Sequence, residues 1–249
     1  MTVSKIFQFL NKQYPCDTAC DFDNVGLLIG DSEQEVTKAL VSLDCTLQTI
    51  AEAKEKGCQL IITHHPVIFS PLKNLLSGSI PYELVKNNIS VISMHTNLDI
   101  AENGGVNACL CKALGIENTE IYIASDGYAL MSGKVSHLSA DDFAKQIKST
   151  LGGTVKYVDG KKLIEKVLVC SGSGGDFISE AIKGGFDALV TADIKHHQFL
   201  ESFDNGISLF DAGHFNTEDI VIEPLKDLLA KEFGNIEFLT THNTNIKYE

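Results

Sequence analysis

The chain has 249 residues, of which 33 are acidic and 20 basic, giving a formal net charge of −13. That length supports one large or two modest domains without disulfides or metal as structural props, and 44% apolar residues reads as a soluble globular protein and not a disordered one. The acidic balance argues against a duplex nucleic-acid binder. Every basic residue is Lys, so an anion must be held by Lys, backbone N–H groups or a metal, not by a guanidinium fork.

No apolar run approaches the roughly 18 residues of a membrane span, and Ile6-Phe7 and Phe9-Leu10 are too short for a signal-peptide core. The seven cysteines form no C-x-x-C pair. They read as small buried side chains in a reducing compartment, the cytoplasm.

In chain order, residues 3–13 carry apolar side chains at helical spacing ahead of Pro15, and 21–30 reads as a loop running into a short strand. A strand is expected at 39–43, a helix at 47–56 ended by Gly57, and a buried strand at 60–62 running into His64-His65-Pro66. A helix at 81–87 and a strand at 89–92 follow, the latter leading to His95 and Asp99. The helix at 105–114 has Gly115 just past its end. A smaller strand-helix-strand piece spans 134–158. The plan then repeats: a strand at 166–170, a helix at 176–183 ended by Gly184-Gly185, and a strand at 188–190 running toward His196-His197. Last come a strand at 207–210, then His214 and Glu218, and a helix through Leu229. Alternating strands and helices imply an α/β layered fold with two related halves. The expected domains are 1–125 and 126–249, with the C-terminal segment packing on the first.

Each polar cluster follows a strand, where open α/β sheets collect ligands. His64, His65, Asp99, His214 and Glu218 supply imidazole and carboxylate without thiolate, the donor set of a divalent transition metal. His214 and Glu218 stand four apart and share one helix face. His64 and His65 are adjacent, and on extended backbone they point to opposite sides, which suits two ions. These five ligands, one of them bridging, give fewer bonds than two four- or five-coordinate ions require, leaving positions open for water. Against this stands the common role of a His or Asp at a strand end as a loop residue or helix cap. Two imidazoles before a Pro are less easily explained that way.

Other polar residues admit plainer readings. His95 reads equally as an orienting group or a loop residue, and His196 and His197 as acid/base groups or a capped helix start. Asn97 and Asn107 could orient Asp99 or serve turn backbone, and Asp44 suits a supporting role. His137 and His242 read as surface residues. Gly172-Ser173-Gly174-Gly175 reads as a tight turn, because Phe177 breaks the dinucleotide pattern and Asp176 would repel a phosphate.

Five motifs in order, Asp23-Asn24-Val25-Gly26, Ser42-Leu43-Asp44-Cys45-Thr46, Ile62-Thr63-His64-His65-Pro66, His95-Thr96-Asn97-Leu98-Asp99 with Gly105-Val106-Asn107, and Gly213-His214-Phe215-Asn216-Thr217-Glu218, resemble the dinuclear metal-centre proteins. Members of that family carry the name GTP cyclohydrolase type 2 homologues. The resemblance implies two similar three-layer α-β-α domains with mixed sheets and a dinuclear site in the cleft between them. It also implies a ring-shaped homohexamer built as a trimer of dimers. On matching positions, His65 and Asp99 would bind one ion, His64 and His214 the other, and Glu218 would bridge. Relatives often carry Gly-Glu where this chain has Ala192-Asp193, which puts a supporting role for Asp193 in question. The expected activity is hydrolysis of a nucleotide or similar small molecule with two ions of zinc, manganese, iron or nickel. The competing reading is a non-enzymatic metal-binding ring that scaffolds or regulates a partner.

Overall fold

The computed structural model describes residues 1–244 and 246. The chain begins α1 (Val3–Gln13), β1 (Gly26–Ile29), β2 (Lys38–Ser42), α2 (Leu47–Lys56), β3 (Leu60–Thr63), α3 (Ile80–Lys86), β4 (Ser90–Ser93) and α4 (Thr96–Asp99). It continues α5 (Val106–Ala113), β5 (Glu117–Ile123), β6 (Ala129–Leu138), α6 (Ala140–Leu151), β7 (Lys156–Val158), β8 (Ile164–Ser173), α7 (Ile178–Lys183) and β9 (Ala188–Ala192). It closes α8 (His196–Asp204), β10 (Ser208–Asp211), α9 (His214–Glu218), α10 (Ile222–Glu232) and β11 (Glu237–Thr241). Two compact units result: Met1–Leu98 with α10 and β11, and Asp99–Val221 with Ile246.

The first unit has a mixed sheet in the order β1-β4-β3-β2-β11, with only β1 antiparallel to its neighbour. Its α2 boundaries follow local chemistry. The Thr46 hydroxyl accepts from the Thr49 amide while the Thr49 hydroxyl receives the Thr46 amide, closing a capping box. Gly57 ends the helix at φ +70°, where a Cβ would be strained. Ile50 and Ala53 of α2 and Leu84 of α3 pack with Leu40, Ile61 and Val91 of the strands as one buried cluster. Leu225 and Leu229 of α10 are also buried, and α10 packs on β2 and β11.

The second unit has a mixed sheet in the order β5-β6-β8-β9-β10-β7, with β8, β9 and β10 parallel and the other pairings antiparallel. Alternation along the strands divides its core between two faces. Val167, Val169, Ala188, Val190 and Phe210 point to α5 and α6, where Leu110, Phe143 and Ile147 meet them. Leu168, Cys170, Leu189 and Leu209 point the other way, to Ile178 and Ala181 of α7 and Phe199 of α8. Helices thus cover both faces, the arrangement parallel strands require. Each large side chain removed from water contributes roughly 1.5–3 kcal/mol.

The runs β2-α2-β3-α3-β4 and β8-α7-β9-α8-β10 each place three consecutive parallel strands side by side. In both, the third strand has an antiparallel outer neighbour, β1 or β7. β5 and β11 lie outside the elements expected from sequence. β5 is an edge strand whose residues are nearly all exposed, so no apolar alternation marks it. Among the described residues no helix is long and apolar enough to cross a membrane.

Candidate metal centre

In the first unit the chemistry-bearing residues follow the carboxyl ends of β3 and β4. His64 and His65 come just after Thr63, the last residue of β3, so the strict alternation of extended backbone no longer governs them. Instead of facing opposite ways, their rings lie 5.0 Å apart, and His95 joins them at 5.1 Å from His64 and 5.6 Å from His65. One ring nitrogen from each of the three lies within 4.8 Å of the other two.

Every one of these rings is oriented from behind. His64 Nδ1 lies 2.9 Å from the Met94 carbonyl, His65 Nδ1 2.8 Å from Asp44 Oδ1, and His95 Nδ1 2.9 Å from Asp23 Oδ1. A carbonyl or carboxylate oxygen only accepts, so Nδ1 donates in each ring, the orientation that metal-bound histidines commonly take. Asp23 is itself held: its Oδ2 accepts from the Thr96 amide at 3.0 Å and the Thr96 hydroxyl at 2.6 Å. Burial would raise its pKa, but the hydrogen bonds from His95 and Thr96 outweigh that and bring the carboxyl well below the usual range. The Asn97 side chain accepts from the His95 amide at 3.0 Å and donates to the Tyr14 carbonyl at 2.8 Å, so it serves backbone positioning. Exposed Phe22 and Phe69 form a tilted pair at 6.3 Å, with Phe69 edge-on to His95 at 6.4 Å.

In the second unit Asp99 and Glu218 are both buried, and an oxygen of one lies within 4.8 Å of an oxygen of the other. His214 Nε2 stands 3.0 Å from Glu218 Oε2, as the four-residue spacing on α9 predicts. Its Nδ1 is 2.6 Å from Asp193 Oδ2. The Glu218 hydrogen bond, and then the charges of Glu218 and Asp193, outweigh burial and push the His214 imidazole up to about 9. Asp193 makes this contact from a left-handed backbone, at φ +55°. The supporting role put in question by sequence is therefore occupied.

Gly172, with φ +59°, lies under the same pair. A Cβ there would stand 2.1 Å from Glu218 Oε1 and 3.3 Å from His214 Cε1. Its amide donates to Thr217 Oγ1 at 3.0 Å, and the Thr217 hydroxyl donates to the His214 carbonyl at 2.8 Å. The turn expected at 172–175 is thus also the floor beneath two site residues. Asn107 accepts from the Ser171 amide at 2.7 Å, and the Ser171 hydroxyl donates to Asp99 Oδ1 at 3.4 Å, so Asn107 reaches Asp99 through Ser171. His196 and His197 are exposed at the start of α8, where Gln198 Oε1 accepts from the Lys195 amide, which is the helix-start reading. His137 is exposed beside Glu165, and His242 lies 3.2 Å from Glu223.

Asp23 and Gly172 carry roles that reading the residues in order does not assign. Asp23 sits in a motif used for the resemblance, but its partners are 72 and 73 residues away.

Comparison with known proteins matches residues 1–246 to the model of the Duf34/NIF3 (NGG1p interacting factor 3) family. The chain is 34% identical to a Clostridium perfringens protein named GTP cyclohydrolase 1 type 2 homolog, over 100% of this chain and 99% of that one. It is 35% identical to a Campylobacter jejuni protein of the same name, covering 95% and 93%. Among solved structures, Staphylococcus aureus hypothetical protein SA1388 superposes with a TM-score of 0.92 at 31% identity, covering 100% and 99%. Reduced HcgD from Methanocaldococcus jannaschii gives 0.84 at 27% identity, covering 96% and 97%.

Proposed function

Because the chain belongs to the Duf34/NIF3 family, we propose that it is a metal-dependent hydrolase. In this reading His64, His65, Asp99, His214 and Glu218 together hold two divalent ions, with Glu218 between them. The observation that carries it is the pair of buried carboxylates, Asp99 and Glu218, set side by side with an imidazole. Buried like charges need a cation or a proton close by. The donor chemistry, imidazole nitrogen and carboxylate oxygen, fits zinc, manganese, iron or nickel.

Such ions supply Lewis-acid charge and lower the pKa of water. The protein's own part is orientation. Asp44 and Met94 fix the tautomers of His65 and His64, Asp193 does so for His214, and Gly172 leaves room for Glu218. The Phe22–Phe69 pair beside His95 offers exposed ring faces, which suits a planar nucleobase, so a nucleotide or similar small molecule is the substrate class. The name shared by the curated relatives agrees with that class.

The protein acts in this reading as a cytoplasmic homohexameric ring, a trimer of dimers. Exposed Phe69, Leu72, Leu75 and Leu76 give the first unit apolar surface that a cyclic contact would cover. Burial pushes the Cys45 and Cys111 thiols up to about 12, which suits the small buried side chains proposed for a reducing compartment.

The test combines elemental analysis with turnover on a nucleotide panel. Two ions per chain, with hydrolysis abolished in folded His64→Ala and Glu218→Gln, supports the reading. Two ions without turnover across a broad hydrolase panel would assign the protein to the non-enzymatic metal-binding ring.

A further inference from the structure

We propose that the start of α5 holds a phosphate group of the substrate, on the backbone amides of Val106 and Asn107 and the side-chain amide of Asn107. The inference rests on the proposed function in taking a nucleotide-like substrate beside two cations, and adds where its anion sits. Asn107 is fully buried, and its Nδ2 has no hydrogen-bond partner among the described residues. Its orientation is fixed: Oδ1 accepts from the Ser171 amide at 2.7 Å, so the other terminal atom is the donor. A buried donor left unmet is costly, which points to an acceptor that belongs to the site and not to the chain. A helical side chain lies over the turn that precedes its own Cα. As the second residue of α5, Asn107 therefore reaches over the open end of the helix.

That end suits negative charge. Gly105 caps α5 without a side-chain hydrogen bond, and no acidic residue stands in the first turn. The first amides of a helix have no intrahelical acceptor, and the helix dipole adds positive potential there. Exposed Gly104 and part-exposed Ala108 flank these groups, so the helix start borders the surface. The position fits as well. Ser171, which gives its amide to Asn107, gives its hydroxyl to Asp99 Oδ1 at 3.4 Å, and a Glu218 oxygen lies within 4.8 Å of one of Asp99. The anion would thus lie beside the carboxylates proposed to carry the ions, all within the second unit. Those carboxylates repel an anion until cations offset them, so phosphate and metal should bind together. In a chain without arginine, amides are the donors that can grip a phosphate directionally.

The test uses the full-length chain loaded with manganese, and radiolabelled inorganic phosphate in equilibrium dialysis. Asn107→Asp keeps an oxygen for the Ser171 amide and removes the donors, so the phosphate Kd should rise at least about 10-fold. Val106→Pro adds no charge and deletes one backbone donor at the first helical position, where proline is tolerated. Gly105 ahead of it, at φ −74° and ψ 169°, has the backbone that a following proline requires. Here Kd should rise about 5-fold. Circular dichroism confirms folding, and neutral Asn107→Leu replaces Val106→Pro if that variant does not fold. Elemental analysis should find manganese unchanged. No phosphate bound by the unmodified chain, a Kd changed less than threefold by the uncharged variant, or a rise that tracks lost manganese overturns the assignment. Nucleotide turnover with phosphate binding indifferent to these substitutions would sink this inference and leave the proposed function standing. Phosphate held as described, without turnover on any nucleotide, would keep the anion site and sink the hydrolase.

Discussion

Glu218 Oε1 occupies the space that any side chain at Gly172 would need, 2.1 Å from the position of its Cβ. Gly172 also takes φ +59°, which disfavours every other residue. Gly172→Ala should therefore cost about 1–3 kcal/mol. It should also displace Glu218, weakening metal retention more than the stability loss alone accounts for. Thermal unfolding with and without added zinc separates the two effects, and equal losses in both conditions would contradict the link.

Asp193 meets His214 from an exposed position, so its removal should spare the fold. Asp193→Ala is expected to leave the melting temperature of the metal-free protein within about 2 °C, since exposed substitutions usually change stability by under ~0.5 kcal/mol. Metal affinity should fall about 10- to 100-fold through loss of the fixed His214 ring. Isothermal titration with zinc measures this, and Asp193→Glu should restore part of the affinity.

Metal itself should stabilise the folded chain. At free zinc or manganese 100-fold above Kd, a single site adds about 2.7 kcal/mol, and melting should rise by roughly 5–10 °C relative to protein in chelator. Scanning calorimetry in the two conditions gives the answer. An unchanged transition at millimolar metal would remove the ground for any ion site in this chain.

Glu223 gives a prediction with pH. The Thr240 hydroxyl at 2.6 Å, with His242 and Lys226, brings its carboxyl down to about 2 against the opposing effect of burial. A depressed carboxylate stabilises the fold fully above its unfolded pKa near 4.3, and that contribution disappears as pH falls through about 2. Because the side chain is half exposed, the gain is small. Glu223→Gln should be slightly less stable than the parent at pH 6 and equal to it near pH 2, measured by urea unfolding.

Much of this architecture is visible in the sequence because local chemistry sets it. α2 begins and ends where Thr46 and Gly57 dictate, and the alternation of Val167, Leu168, Val169 and Cys170 marks a strand covered on both faces. The His64-His65 pair is legible because no turn calls for it. What escapes is action at long sequence distance. Asp23 meets His95 across 72 residues, and Asp44 meets His65 across 21. Nothing in either segment announces its partner. Gly172 reads as an ordinary turn glycine until Glu218, far along the chain, fills the space above it. β5 is unreadable for another reason: an exposed edge strand buries too little to leave an apolar rhythm.

β11 pairs with β2 although roughly 200 residues separate them. On a ribosome working at ~5–20 residues per second, β2 must wait on the order of 10–40 s for the strand that covers it. Through that interval it presents open amides and carbonyls, an invitation to stray pairing. The segment Asp99–Val221, by contrast, emerges uninterrupted. Order of synthesis and order of pairing are therefore out of step: the sheet begun first is completed last, and nascent chains halted before residue 237 should be the ones that need a chaperone.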